Sequence, residues 1–269
     1  MKSLIRWSAT LGLVGSAILG VGFGQAAKVL ALPQDQIVKT LQPVPVFTIV
    51  DAQGAPIVRQ HENKQVTGVF ISQQDAQKFF QQLQQQNPEL AKKVKVQPVS
   101  LGEVYKFSQS MEGKPDGLNI DYVPMNDEVE LAKQVMNQNG QQYPEGVVPL
   151  FVARVGKEQG YLMIERNNES RIPFFFEKAQ LQQLLERFKK EKPDLASTVK
   201  IEVIPLEIMI ATMKEKNDEM LTKIELVPSQ ESLQFIQSTI QNRGQSNPQG
   251  QSAPQNQPAQ SNPQNQQKK

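Results

Sequence analysis

Between residues 41 and 243 apolar side chains recur at two spacings, every second residue in short runs and every third or fourth in longer ones. That mixture predicts strands interleaved with helices. Val44 to Val50 reads as a first strand, Asp51 to Gly54 as a turn, Ile57-Val58 as the start of a short return strand, and Val66 to Ile71 as the next strand. Ser72 followed by Asp75 resembles a capping box, and Ala76, Phe79, Phe80 and Leu83 then share one helical face, so a helix spans about residues 72 to 86. Val94 and Val96 alternate with lysines as on a half-exposed strand. Ser100 with Glu103 opens a short helix from Leu101 to about Phe107. After a turn at Asp116-Gly117, Leu118, Ile120 and Tyr122 alternate. Asn126 then caps a helix that turns Val129, Ala132 and Met136 inward and stops near Gly140.

The same order returns at a spacing of about 105 residues. Val44-Pro45-Val46-Phe47 recurs as Val148-Pro149-Leu150-Phe151, and Val69-Phe70-Ile71 as Phe174-Phe175-Phe176. Pro88-Glu89-Leu90-Ala91 recurs as Pro193-Asp194-Leu195-Ala196, Val94-Lys95-Val96 as Val199-Lys200-Ile201, and Val123-Pro124 as Val227-Pro228. A period this long marks two copies of a domain-sized unit rather than a solenoid. In the second copy Leu181, Leu184, Leu185 and Phe188 fall on one helical face, as do Leu206, Met209, Ile210 and Met213 after Pro205. Ser229 caps a last helix expected to bury Leu233, Ile236 and Ile240 and to end at Gly244. The fold class is α+β, with pseudo-symmetric halves over residues 41–140 and 145–243, each a small, mainly antiparallel sheet with about three helices. Leu90 should stand opposite Leu195, and Val96 opposite Ile201.

The two ends of the 269-residue chain change this picture. Lys2 and Arg6 precede an apolar run of about 13 residues from Leu11 to Phe23 and then small residues, the layout of a secretory signal peptide over residues 1–31. The run is short of the ~20 residues needed to cross a bilayer. Residues 244–269 are Gln, Asn, Pro and Ser with almost nothing to bury, which reads as a disordered tail. Removing the first 31 residues takes away Lys2, Arg6 and Lys28 and no acid, which moves the formal net charge from +2 to −1. A near-neutral chain with only short basic patches, such as Lys92-Lys93, is a poor match for nucleic acid. Cysteine is absent, which excludes disulfides, thiol nucleophiles, thiolate metal sites and a lipid-bearing cysteine.

Little else in the sequence points to catalysis. His61, the only histidine, sits among Arg59, Glu62, Asn63 and Lys64, where it reads as a loop residue. No nucleophile elbow, phosphate-binding loop or dinucleotide fingerprint occurs. Acid pairs such as Asp127 with Glu128, and Glu225 beside its strand, read as solvated caps and strand surfaces. The reading is of a non-enzyme without a cofactor or metal. The run Phe174-Phe175-Phe176 is different, because neighbouring side chains on a strand face opposite ways, so both faces must meet apolar material. One alternative is a strand buried between helices and the other half. The other is a groove for unfolded chains, lined by Phe174, Phe176 and Met209, with Phe70 and Leu101 as counterparts and flexible Met213 and Met220 nearby.

Asn87-Pro88-Glu89-Leu90-Ala91, Pro98 to Tyr105, Gly146 to Arg154 and Ile172 to Lys178 together resemble the Tic22 family of cyanobacteria and plastids over roughly residues 41 to 240. The resemblance implies a fold of two pseudo-symmetric halves with apolar pockets and no accepted catalytic residues. It implies a chaperone-like factor of the periplasm, with the thylakoid lumen as a second compartment, that serves protein translocation and outer-membrane protein biogenesis. The implied partners are unfolded or translocating proteins and an Omp85-type outer-membrane protein, with peripheral membrane association left open. A structural adaptor docking such a pore and a two-lobed small-ligand binder remain the alternatives. The leader reading makes one direct prediction. N-terminal sequencing of the exported protein should begin between Ala27 and Leu32, and an intact Met1 in a membrane fraction would overturn it.

Overall fold

The structure, a computed structural model, describes residues 6–8, 31–61, 64–114 and 117–245. The apolar part of the expected leader, Glu62 and Asn63, Asp116 and the tail beyond residue 245 lie outside the described residues. In chain order the elements are β1 (Arg6–Ser8), α1 (Gln34–Leu41), β2 (Pro45–Asp51), β3 (Arg59–His61), β4 (Lys64–Phe70), α2 (Gln73–Gln86), α3 (Pro88–Ala91), β5 (Val94–Ser100), α4 (Leu101–Met111), β6 (Leu118–Val123) and α5 (Asn126–Gln138). The second half continues with β7 (Pro149–Val155), β8 (Gly160–Tyr161), β9 (Met163–Arg166), β10 (Glu169–Phe175), α6 (Lys178–Glu191), a 3₁₀ turn (Pro193–Thr198), β11 (Lys200–Pro205), α7 (Leu206–Glu215), α8 (Glu219–Thr222), β12 (Ile224–Val227) and α9 (Gln230–Gln245).

Both halves are mixed α+β units built on one strand plan. In the first, β5, β2 and β4 pair antiparallel in that order and β6 joins β4 in parallel. In the second, β11, β7 and β10 repeat the antiparallel run and β12 joins β10 in parallel. Equivalent backbone bonds reinforce the match. The Leu101 N–H donates to the Val44 carbonyl and Leu206 to Val148, both at 2.8 Å; Ile71 donates to Val123 at 3.1 Å and Phe176 to Val227 at 3.2 Å. Leu90 lies in α3 and Leu195 in the 3₁₀ turn that replaces it, while Val96 and Ile201 lie on β5 and β11.

Two expectations about boundaries need correcting. The first half extends upstream of Leu41 to at least Leu32, because α1 buries Ile37, Val38 and Leu41 between α4 and α7. Eight residues give too few turns for a periodic signal, and only their burial reveals the helix. The return strand lies at Arg59–His61, not at Ile57-Val58, since Pro56 makes only an isolated bridge to Val50.

The layers follow from strand alternation. On β2 and β7, Val46, Leu150 and Val152 face one way and Phe47, Phe151 and Ala153 the other, and all six are buried. Each sheet is therefore covered on both faces. The inward faces of both sheets enclose α1, α4 and α7 in one central core. The outward faces are covered by helix pairs that exchange partners between halves. Helix α5 of the first half packs with α6 on β7 and β11 of the second, and α9 of the second half lies with α2 over β2 of the first.

Carboxylates hold the exchanged helices at their first turns, where backbone N–H groups have no partner within the helix. Glu128 of α5 accepts from the Lys178 N–H that starts α6, at 3.0 Å. Glu231 of α9 accepts from the Ser72 hydroxyl at 2.9 Å and the Gln74 N–H at 2.8 Å, at the start of α2. Glu177 accepts from the Gln230 N–H that starts α9, at 3.0 Å. These acids are joints rather than solvated caps, which corrects the reading of Glu128; it is 6% exposed. Asn126 likewise is the first residue of α5 and not its cap.

Burial is the main cause that raises the Glu128 carboxyl above the usual carboxylate range, with the Lys178 N–H acting against it. Burial likewise raises Glu177. A carboxyl whose folded pKa exceeds its unfolded value adds stability at low pH that is lost as pH rises through the folded pKa. Glu128→Gln keeps the acceptor and removes the charge, so it should melt at or above the parent temperature at pH 7. The gap should close as the pH falls toward 4, read by thermal denaturation across that range. Glu128→Ala, which strands the Lys178 N–H, should cost ~1 to 3 kcal/mol.

Candidate functional site

The two outer layers are packed unequally. Over the second sheet, α5 and α6 contribute Ala132, Val135, Met136, Leu181, Leu185 and Phe188 to a cluster with Phe151, Phe175 and Val203. Over the first sheet the buried cluster among the described residues is Phe47, Phe70 and Ala76 alone. The cause lies in the helix sequences. Where α6 has leucines at 181 and 185 and Phe188, α2 reads QQDAQKFFQQLQQQ, and Ala76 is its only buried residue.

A cavity of about 570 Å³, open to solvent, separates α2 from α9. Gln73, Gln77 and Gln81 line one wall and Gln234, Phe235 and Ser238 the other, with Lys78 and Glu231 also on the lining. Beneath these helices the outward side of the sheet presents aromatic rings. Phe235 stands edge-on to Phe47 with ring centroids 5.4 Å apart, and Phe79 lies tilted against Phe70 at 5.4 Å. Phe79 stays 41% exposed, and α9 leaves Leu233 at 36% and Ile240 at 65%. Those three were expected inside. Phe235 takes the inward position of α9 instead, and at 3.6 residues per turn that rotates Leu233 and Ile240 away from the sheet. While Phe79, Leu233 and Ile240 lie outside its lining, the groove pairs amide-rich walls with the ring of Phe235. It can hold an extended chain by hydrogen bonds and reversible apolar contact without ordering a covalent chemistry.

The client-contact residues expected from sequence do not form this surface. Leu101, Phe174, Phe176 and Met209 are buried in the central core between the sheets, each 3% exposed or less. Phe70 is also buried, at 6%, but on the outward face under α2. Parity explains the error. Phe70 aligns with Phe175, which faces outward, whereas Phe174 and Phe176 on either side of it face inward. The aromatic run is thus the buried strand of the first alternative. Met213 is fully buried in the same core, and Met220 packs against it.

Other titratable groups have structural partners. Glu207 at the start of α7 accepts from the Val148 N–H at 3.2 Å, and burial raises its carboxyl. Burial also pushes the nearby Tyr143 hydroxyl up to about 12, with Glu207 adding to the shift. Glu225 pairs with Arg166 on the surface. Among the described residues, no group of three or more His, Cys, Asp or Glu is placed to hold a metal ion, and no helix is long and apolar enough to cross a membrane.

Comparison with known proteins bears on the whole chain. Among solved structures, Anabaena Tic22, described as a protein-transport protein, is similar with a TM-score of 0.67 and 30% identity, over 77% of this chain and 97% of that one. Tic22 from Plasmodium falciparum matches with a TM-score of 0.61 and 20% identity, over 77% of this chain and 98% of that one, and shows the shared fold. No curated protein matches. The family model for the Tic22-like family matches residues 13–238, and the chain belongs to that family.

Proposed function

We propose that this protein acts in protein transport as a chaperone-like holder, and that the α2/α9 groove is where it grips polypeptides in transit. The single observation that carries the reading is the sparse outer layer of the first sheet, where the buried apolar cluster among the described residues has three members against twelve over the second. A layer that a stable core does not require to be open is left open, with glutamine walls and the ring of Phe235 on its lining. Holding without ATP requires contacts that are apolar, extensive and individually weak, which this surface offers. The transport label of the Anabaena relative supports the same reading. A leader-bearing sequence without cysteine agrees with work outside the inner membrane, in the periplasm or thylakoid lumen, beside an Omp85-type pore.

Gln77→Glu, Gln81→Glu and Gln234→Glu, at exposed positions on the groove walls, should each shift stability by no more than ~0.5 kcal/mol, since exposed positions tolerate substitution. The triple variant should lose most of its ability to suppress aggregation of an unfolded outer-membrane protein, measured by light scattering. Phe188→Ala, by contrast, should cost ~3 to 5 kcal/mol in chemical denaturation. If the folded triple variant suppresses aggregation as well as the parent, the groove is not the grip. Crosslinking through Gln77 that captures one membrane protein and no clients would favour the docking adaptor instead.

A further inference from the structure

A second surface, distinct from the groove, lies along β9. This short strand leaves β7 after β8 and crosses to β10, with which it forms a hairpin closed by Asn167 and Asn168 at φ of 53° and 63°. Two consecutive left-handed residues are the geometry of a two-residue hairpin turn, in which the flanking pair, here Arg166 and Glu169, exchange hydrogen bonds. Alternation then fixes the rest. Arg166 and Ile164 turn their backbone groups toward β10, and Glu165 and Met163 turn theirs to the opposite side. The Leu162 N–H, which bonds the Ala153 carbonyl of β7 at 2.9 Å, has the same parity as Ile164 and agrees with this assignment.

The side of β9 that Met163 and Glu165 face is where the chain's own β1 sits. It is antiparallel, with Arg6 opposite Glu165, Trp7 opposite Ile164 and Ser8 opposite Met163. The register pairs a basic residue with an acidic one, Arg6 with Glu165, and two apolar ones, Trp7 with Ile164. The sequence reading assigns residues 1–31 to a leader removed on export, so β1 is present only in the precursor.

We propose that the outward edge of β9 is a strand-acceptor site. It takes an extended polypeptide in antiparallel register, basic at the position facing Glu165 and apolar at the position facing Ile164, and the precursor's own residues 6–8 occupy it until the leader is removed. Main-chain bonds to Met163 and Glu165 supply the grip, and the alternating side chains supply the preference, as in strand addition to an exposed sheet edge. The site shares no residue with the α2/α9 groove, so either can fail without the other.

Amide hydrogen exchange on the full chain tests it. The Met163 and Glu165 amides should exchange at least about tenfold slower than in the variant Arg6→Pro with Ser8→Pro, which removes the two leader N–H groups that face β9 and leaves β9 untouched. Adding the peptide of residues 3–10 carrying Trp7→Phe should then restore the protection in trans, and should not do so when Glu165→Pro is also present. Equal exchange in the parent and the double-proline variant would overturn the proposal. So would lost protection that the peptide, at millimolar concentration, does not restore.

Discussion

Each sheet of this protein is apolar on both faces, and that constraint organises everything around it. A strand reading Val46-Phe47 or Leu150-Phe151 places one large side chain on each side, so water must be excluded twice per sheet. A single half supplies enough helix to cover one face and part of the other. The solution is a shared central layer of α1, α4 and α7 between the sheets, with α5 and α9 crossing to complete the outer layer of the opposite half. Neither half can be withdrawn without uncovering the other, so the repeat is visible in sequence while the core is common to both.

The crossing helices are held by backbone chemistry as much as by packing. The N-terminus of an α-helix presents N–H groups without partners and a partial positive charge, and a carboxylate answers both. Glu128 and Glu231 perform this task for helices in the half they cross to, and Glu177 does so for α9. Burial is the larger cause that raises Glu128 and Glu177, with Glu177 adding to the rise of Glu128 and Asp127 and Glu231 to that of Glu177, so the joint is more costly to hold when charged. Specific docking of the helices is obtained at that cost.

Symmetry of topology therefore coexists with asymmetry of packing. The second sheet has an outer layer filled by leucine and phenylalanine; the first has glutamines, a solvent-filled groove and rings resting on rings. One copy of the duplicated unit carries the stability while the other keeps an adaptable surface. The edge of β9 adds a second kind of adhesion, made of main-chain bonds rather than side-chain contact.

The strand and helix order, the duplication, the buried faces of α6 and α7 and the family were all legible in the sequence, because period and repeated phrases are local properties of the chain. Leu181, Leu185 and Phe188, and Leu206, Met209, Ile210 and Met213, are buried as their spacing requires. What spacing cannot supply is the identity of the neighbour. Phe174 and Phe176 were readable as groove or core, and only the parity of β10 against two packed layers places them inside. Phe79, Leu233 and Ile240 have the spacing of core residues yet remain exposed, because Phe235 alone fills the inward position of α9 and α2 meets the sheet through Ala76. Glu128 looks like any helix-start acid until a helix from the other half ends its solvation. Local patterns determined which residues form each element and which stripe of it is apolar; contacts between residues a hundred positions apart decided which stripe was covered and which stayed exposed.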